Sequence, residues 1–128
     1  MAINLAWDET DKQIIRVNVS GNWTWDQMET ALEEAIGMMD SVDHTVHYII
    51  DIREGQLDLG SALAQAQKAA TPETHRNEGT KVVVGANFLI RTLYTAYRKM
   101  IERMGKQQEF LFADTPEQAR AMIANGGG

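Results

Sequence analysis

Apolar and polar residues alternate at the start of the chain, with Ile3, Leu5 and Trp7 on one side. After the polar stretch "DETD" the alternation returns at Ile15, Val17 and Val19. Two alternating runs joined by a short polar turn predict a β-hairpin with one buried face. The period then changes. Thr24, followed three positions later by Gln27, has the form of a capping box, and Trp23 and Met28 flank it as a hydrophobic staple. Trp25, Met28, Leu32, Ile36 and Met39 repeat at helical spacing with acids on the opposite side. That pattern predicts an amphipathic helix with those five residues as its buried stripe.

"TVHYIID" is a short, β-branched apolar run, the pattern of a strand buried on both faces of a parallel sheet. "SALAQAQKAA" reads as a helix that stops at Thr71-Pro72, because proline pushes the preceding residue out of the α region. "PETHRNEG" is a polar loop and "TKVVVGAN" a second buried strand. Asn87 can cap a long helix whose stripe is Leu89, Ile90, Leu93, Tyr97, Met100, Ile101 and Met104, with Gly105 as its stop. "EFLFAD" is the last strand, and Thr115-Pro116 opens a short closing helix. The predicted order is β-β-α-β-α-β-α-β-α. It describes an α/β fold: a mixed, mostly parallel sheet with an N-terminal β-hairpin and four helices. A single domain is expected over residues 1–125, with residues 126–128 as a flexible glycine tail.

Composition narrows the chemistry. The 128 residues are 44% hydrophobic and 23% charged, ordinary proportions for one globular domain, and contain no cysteine. Disulfides, thiolate nucleophiles and cysteine-held metals are therefore excluded. No signal-peptide pattern or membrane span is visible, so a cytoplasmic protein is expected. The net charge of −6 argues against nucleic acid as a partner. The charge is unevenly spread. Acids dominate Asp26 to Asp58, where Arg53 is the only base, and bases dominate Arg91 to Lys106, where Glu102 is the only acid. Such a dipolar surface suits a charged partner.

In open α/β sheets, ligands sit beyond the carboxyl ends of the parallel strands. Here those ends are read at Asp51-Ile52-Arg53, Gly85-Ala86-Asn87 and Asp114-Thr115. Ser61 follows Asp58, a natural N-cap, and a small polar residue in a first helical turn has a plain structural role. It is also a chemical handle. A phosphate there would be favoured by the helix terminus and repelled by Asp51, Glu54 and Asp58. His44 and His47 stand near Asp40 and Asp43, but a strand points alternate residues to opposite faces, so no convergent metal set is expected. Ser61, His75 and Asp51 have no nucleophile elbow around the serine, and Gly85 alone is no dinucleotide fingerprint. No enzyme activity, metal or cofactor is expected.

"MDSVDHTVHYIIDIR", "KVVVGANFLIRTLYTAYRKM" and "EFLFADTPEQARAMI" resemble the units that follow the N-terminal hairpin in the STAS fold, the sulphate-transporter and anti-sigma-factor-antagonist domain, and particularly its short SpoIIAA-like members. The resemblance implies a regulatory, non-catalytic protein-interaction module. In the antagonist family an Asp ends the central strand, and ten residues on lies the serine that a partner kinase phosphorylates. Ser61 stands at that position relative to Asp51. The family's Asp-Ser pair leading into Gly is replaced here by Leu59, Gly60, Ser61 and Ala62, with Asp58 displaced by one. On this reading Asp51, Arg53, Asp58 and Asn87 dock a protein partner, a kinase or regulatory protein, and Ser61 is the switch. The alternative is a small carrier of an apolar, anionic ligand such as a lipid or fatty acid. Its tail would lie under the helix bearing Tyr94 and Tyr97, and Arg91 or Arg98 would hold its head. Peripheral lipid contact and a homodimer are both compatible with the exposed edges and aromatic residues.

Overall fold

The computed structural model describes residues 3–57, 76–103 and 110–125. Strands β1 (Ile3–Trp7) and β2 (Ile14–Trp23) form the expected hairpin, with Ile3 opposite Val19, Leu5 opposite Val17 and Trp7 opposite Ile15. Its turn closes with the Asp8 N–H donating to the Ile14 carbonyl at 2.8 Å, and Lys12 takes a positive φ of 56°. Helix α1 (Trp25–Asp40) follows, then β3 (Val46–Leu57), β4 (Glu78–Val84), α2 (Phe88–Arg103), β5 (Leu111–Ala113) and α3 (Pro116–Ala124). The sheet runs β1-β2-β3-β4-β5, antiparallel at the first pair and parallel at the rest. Three helices lie among the described residues. The helix expected over "SALAQAQKAA", its stop at Thr71-Pro72, and Met104-Gly105 all fall outside them.

Local signals account for most of these boundaries. Thr24 caps α1, accepting the Gln27 N–H while the Gln27 side chain accepts the Thr24 N–H, so both halves of the capping box form. Asn87 accepts the Ile90 N–H at 2.9 Å, and Thr115 accepts the Gln118 N–H at 3.1 Å ahead of Pro116. Asn77 is a further, unforeseen clasp. Its side chain donates to the Met39 and Val42 carbonyls, both at 3.0 Å, and its own carbonyl accepts the Val46 N–H at 2.7 Å. It ties the end of α1 to the start of β3.

Alternation divides the core between the two sheet faces. On one face Ile15, Val17, Val19, Tyr48, Ile50 and Ile52 pack under Met28, Ala31, Ala35 and Met39 of α1, with Ile90 of α2 at the margin. On the other, Ile49, Val82, Val84 and Ala113 pack under Ala119, Met122 and Ile123 of α3. The α1 stripe differs from the predicted one. Ala31 and Ala35 are buried, whereas Ile36 is 39% exposed. Small residues let the helix axis approach the sheet closely, and this rotates the larger Ile36 outward.

Candidate functional site

The face under α3 is apolar at Ile49 of β3 and over β4 and β5, and charged from Asp51 of β3 towards the hairpin. Alternation along β2 aims Arg16 and Asn18 at this face, and the ladder sets Asn18 beside Asp51 of β3. Asp51 accepts from Arg53 Nε at 2.9 Å, Arg53 Nη2 at 2.7 Å and the Arg53 backbone N–H at 3.1 Å. Arg16 Nη2 adds a longer contact to the same carboxylate at 3.4 Å. Arg16 also reaches Asp8 at 3.4 Å, and Asp8 is gripped by both ends of the Arg120 fork, each at 2.8 Å. The result is an alternating chain, Arg53–Asp51–Arg16–Asp8–Arg120, running from β3 across β2 and the hairpin turn to the closing helix. The side chains of Asp8 and Asp51 are 4% and 10% exposed, and Arg53 at one end is 47% exposed.

The electrostatics follow from this geometry. The Arg120 hydrogen bonds hold the Asp8 carboxyl below its ordinary value, opposed by burial and aided by the charges of Arg120 and Arg16. Burial alone would raise Asp51, but the hydrogen bonds and charge of Arg53, with Arg16 behind them, outweigh it and lower the carboxyl. Both acids therefore stay ionised at neutral pH, fixed as acceptors. The cost falls on Arg16, whose Nε is buried without a hydrogen-bond partner among the described residues.

Asp51 does not end its strand as expected. β3 runs on to Leu57, because β2 also continues and pairs Ser20–Trp23 with Glu54–Leu57 after a bulge. The carboxyl edge begins at Asp51 on the other side, where its partner Val84 is the last residue of β4. Gly85 follows with φ at +87°, and a Cβ there would overlap the Arg53 side chain. Arg53 thus lies across Gly85, which stands two residues before the α2 cap Asn87 and three before the 81% exposed Phe88. Of the expected docking residues, Asp51, Arg53 and Asn87 fall at this edge. Asp58 and Ser61 lie outside the described residues.

The residues of the carrier alternative are all on α2. The Arg91 guanidinium stacks 4.9 Å from the Phe112 ring centre, and its Nε donates to the Ala86 carbonyl at 3.3 Å. Tyr94 sets its ring edge-on to Phe110 and Phe112, and its hydroxyl oxygen accepts the Phe110 N–H at 3.1 Å. Arg98 pairs with Glu102 at 3.1 Å. Elsewhere, His44 bonds to the Lys12 carbonyl at 2.9 Å, and His47 Nδ1 accepts the Thr80 N–H at 2.9 Å. Burial lowers the pKa of His47.

Asp8, Arg16, Arg120 and Phe88 carry no local signal of their part. Asp8 reads as a turn residue and Arg16 as the wet side of a hairpin. Their partners lie 35 positions away (Arg16 to Asp51) and 112 positions away (Asp8 to Arg120).

No family model matches the sequence, and no curated protein matches it. Several solved structures match the fold, among them the following two. One is the anti-sigma factor antagonist SpoIIAA in its unphosphorylated form, at 13% identity and TM-score 0.53 over 98% of this chain and 99% of that one. The other is a DUF3478-family protein with a SpoIIAA-like fold from Shewanella loihica PV-4, at 16% identity and TM-score 0.51 over 95% of this chain and 92% of that one. The fold is therefore STAS/SpoIIAA-like. No helix among the described residues is long and apolar enough to cross a membrane.

Proposed function

We propose that the chain is a non-catalytic regulatory module of the cytoplasm that docks a kinase or regulatory protein through the edge formed by Asp51, Arg53, Asp58 and Asn87, with Ser61 as its phosphoacceptor. The observation that carries this reading is the setting of Arg53. A half-exposed guanidinium is locked to a buried carboxylate where β4 ends, and the chain leaving that strand reaches an exposed aromatic residue, Phe88, at the start of α2. Aromatic residues and arginine are the side chains that anchor protein interfaces. The likeness in fold to an antagonist solved in its unphosphorylated form supports the assignment of Ser61. Carboxylates held ionised by arginine are poor proton donors at neutral pH, which favours docking over general acid catalysis.

The test is intact mass of the protein from its own cells, native and denatured. One phosphate surviving denaturation and mapping to Ser61 is the expected result. Mass lost on denaturation would instead identify a bound small molecule and favour the carrier with Arg91, Tyr94 and Arg98. As a second check, Ser61→Asp should weaken partner capture and leave the melting temperature unchanged. Equal losses of both would make Ser61 purely structural.

A further inference from the structure

We infer that the outward face of α2 is a docking strip for an acidic amphipathic segment of a protein partner, with Phe88 as its apolar anchor. The inference rests on the reading of the chain as a protein-docking module and names the chemistry of the partner. Phe88 and Ile36 are the large hydrophobic side chains that stand exposed among the described residues, and Phe88 is much the more open at 81%. It begins a line at helical spacing, Phe88-Thr92-Thr95-Lys99, that faces solvent throughout. The Thr92 and Thr95 hydroxyls donate back to the Phe88 and Arg91 carbonyls at 2.9 and 3.0 Å, leaving their methyl groups as the outward part. Ala96 lies beside them, also exposed. The strip is thus narrow, weakly apolar and shallow, with one large side chain at its start.

Cations flank it. Arg91, Arg98, Lys99 and Arg103 are exposed on α2, against the single acid Glu102. Lys99 and Arg103 make no ion pair among the described residues. In a chain of net charge −6, a helix so basic is a local reversal of sign that selects an acidic ligand. The strip also begins at the edge already occupied by Arg53, Gly85 and Asn87, so one partner can span both.

Basic helices with an exposed aromatic residue also bind anionic membranes. Here α1 packs on the same sheet face as α2 and presents Glu33 and Glu34 to solvent. A flat anionic surface broad enough to cover α2 would meet those acids as well. A single peptide segment can lie along α2 alone, a length of about 24 Å.

The probes are a synthetic helical peptide of alternating acidic and leucine faces, its lysine-for-glutamate counterpart, and phosphatidylserine vesicles. Binding of the acidic peptide alone is expected, with Phe88→Ala weakening it by about tenfold or more. Lys99→Glu/Arg103→Glu should abolish it, and raising salt from about 0.05 M to about 0.5 M should weaken it several-fold. Phe88 is open enough for the alanine variant to keep its melting temperature, so loss of binding cannot be misread as unfolding. Equal binding of the basic peptide, preference for vesicles, or an unaffected Phe88→Ala variant would overturn the inference. Phosphate on Ser61 is read by mass on the wild-type chain without any peptide, so this failure and a failure of the docking assignment are distinguishable.

Discussion

Replacing Asp51 with Asn is the cleanest perturbation of the charged chain on the sheet. The amide has nearly the shape of the carboxylate, so packing is kept while the charge and the double acceptor facing Arg53 are lost. Two side-chain bonds from Arg53 are 2.7 and 2.9 Å long, and the Arg16 contact is 3.4 Å. A hydrogen bond to a charged group contributes about 1.5–3 kcal/mol. Arg53 is half exposed and regains water when its partner is neutralised, so most of its share is recovered. Arg16 is less exposed and already has an orphaned Nε, so the unrecovered cost falls largely there. A net loss of about 2 kcal/mol follows. For a domain of this size that corresponds to about 6–8 °C in melting temperature.

The pH dependence fixes the interpretation. Asp51 has a folded-state pKa below its unfolded value. Its contribution is present above the unfolded value, near 3.9, and disappears as pH falls through the lower, folded one. Urea unfolding at pH 7, followed by tryptophan fluorescence, should show the Asp51→Asn variant with a lower midpoint and an unchanged slope. The gap to the wild type should then close as pH is lowered below about 4. A gap that stays constant with pH, or no gap at pH 7, would refute the charge argument.

Arg16→Met should cost less than Asp51→Asn, about 1 kcal/mol or below in urea unfolding, because each aspartate keeps its own arginine and an orphaned donor is removed. Gly85→Ala is expected to cost about 1–3 kcal/mol from the positive φ, and the displaced Arg53 should make its effect non-additive with Asp51→Asn in a double-mutant cycle. Ala35→Leu should destabilise by about 1–3 kcal/mol by overpacking a fully buried site. Ile36→Ser, one residue on, should stay within about 0.5 kcal/mol, and the reverse order in a thermal melt would contradict the observed helix rotation.

The hairpin, both buried strands and the three caps at Thr24, Asn87 and Thr115 were legible because each depends on residues a few positions apart. Ile36 was misplaced for a physical reason. Pattern reading ranks apolar size, whereas a helix lying close to a sheet selects small contacts such as Ala31 and Ala35. The length of β3 was hidden differently. Its apolar run stops at Ile52, and the polar Arg53–Gln56 segment is held extended by its pairing with β2, which no property of that segment announces. The ion-pair chain is the least local feature. Its members come from a turn, two strands and the closing helix, and pairing emerges only when β2 and β3 fall into register and α3 returns over them.

That register also explains why charge is found where it is. α3 covers β3, β4 and β5, so the part of the same face nearer β1 has no helix above it among the described residues. Aspartates buried under arginines close the margin of the core there, with the charge of each acid answered. Arg53 sits where this margin meets the proposed docking edge. Its side-on donors, Nε and Nη2, are committed to Asp51, and its Nη1 makes no hydrogen bond among the described residues. A partner's carboxylate would therefore meet a guanidinium whose orientation is already set, so little rotamer freedom remains to be lost on binding. On this account Asp51 contributes to the docking edge by fixing the orientation of Arg53. Asp51→Asn should shorten the lifetime of the complex more than Glu54→Gln, an exposed neighbour on the same strand, even where both variants are fully folded.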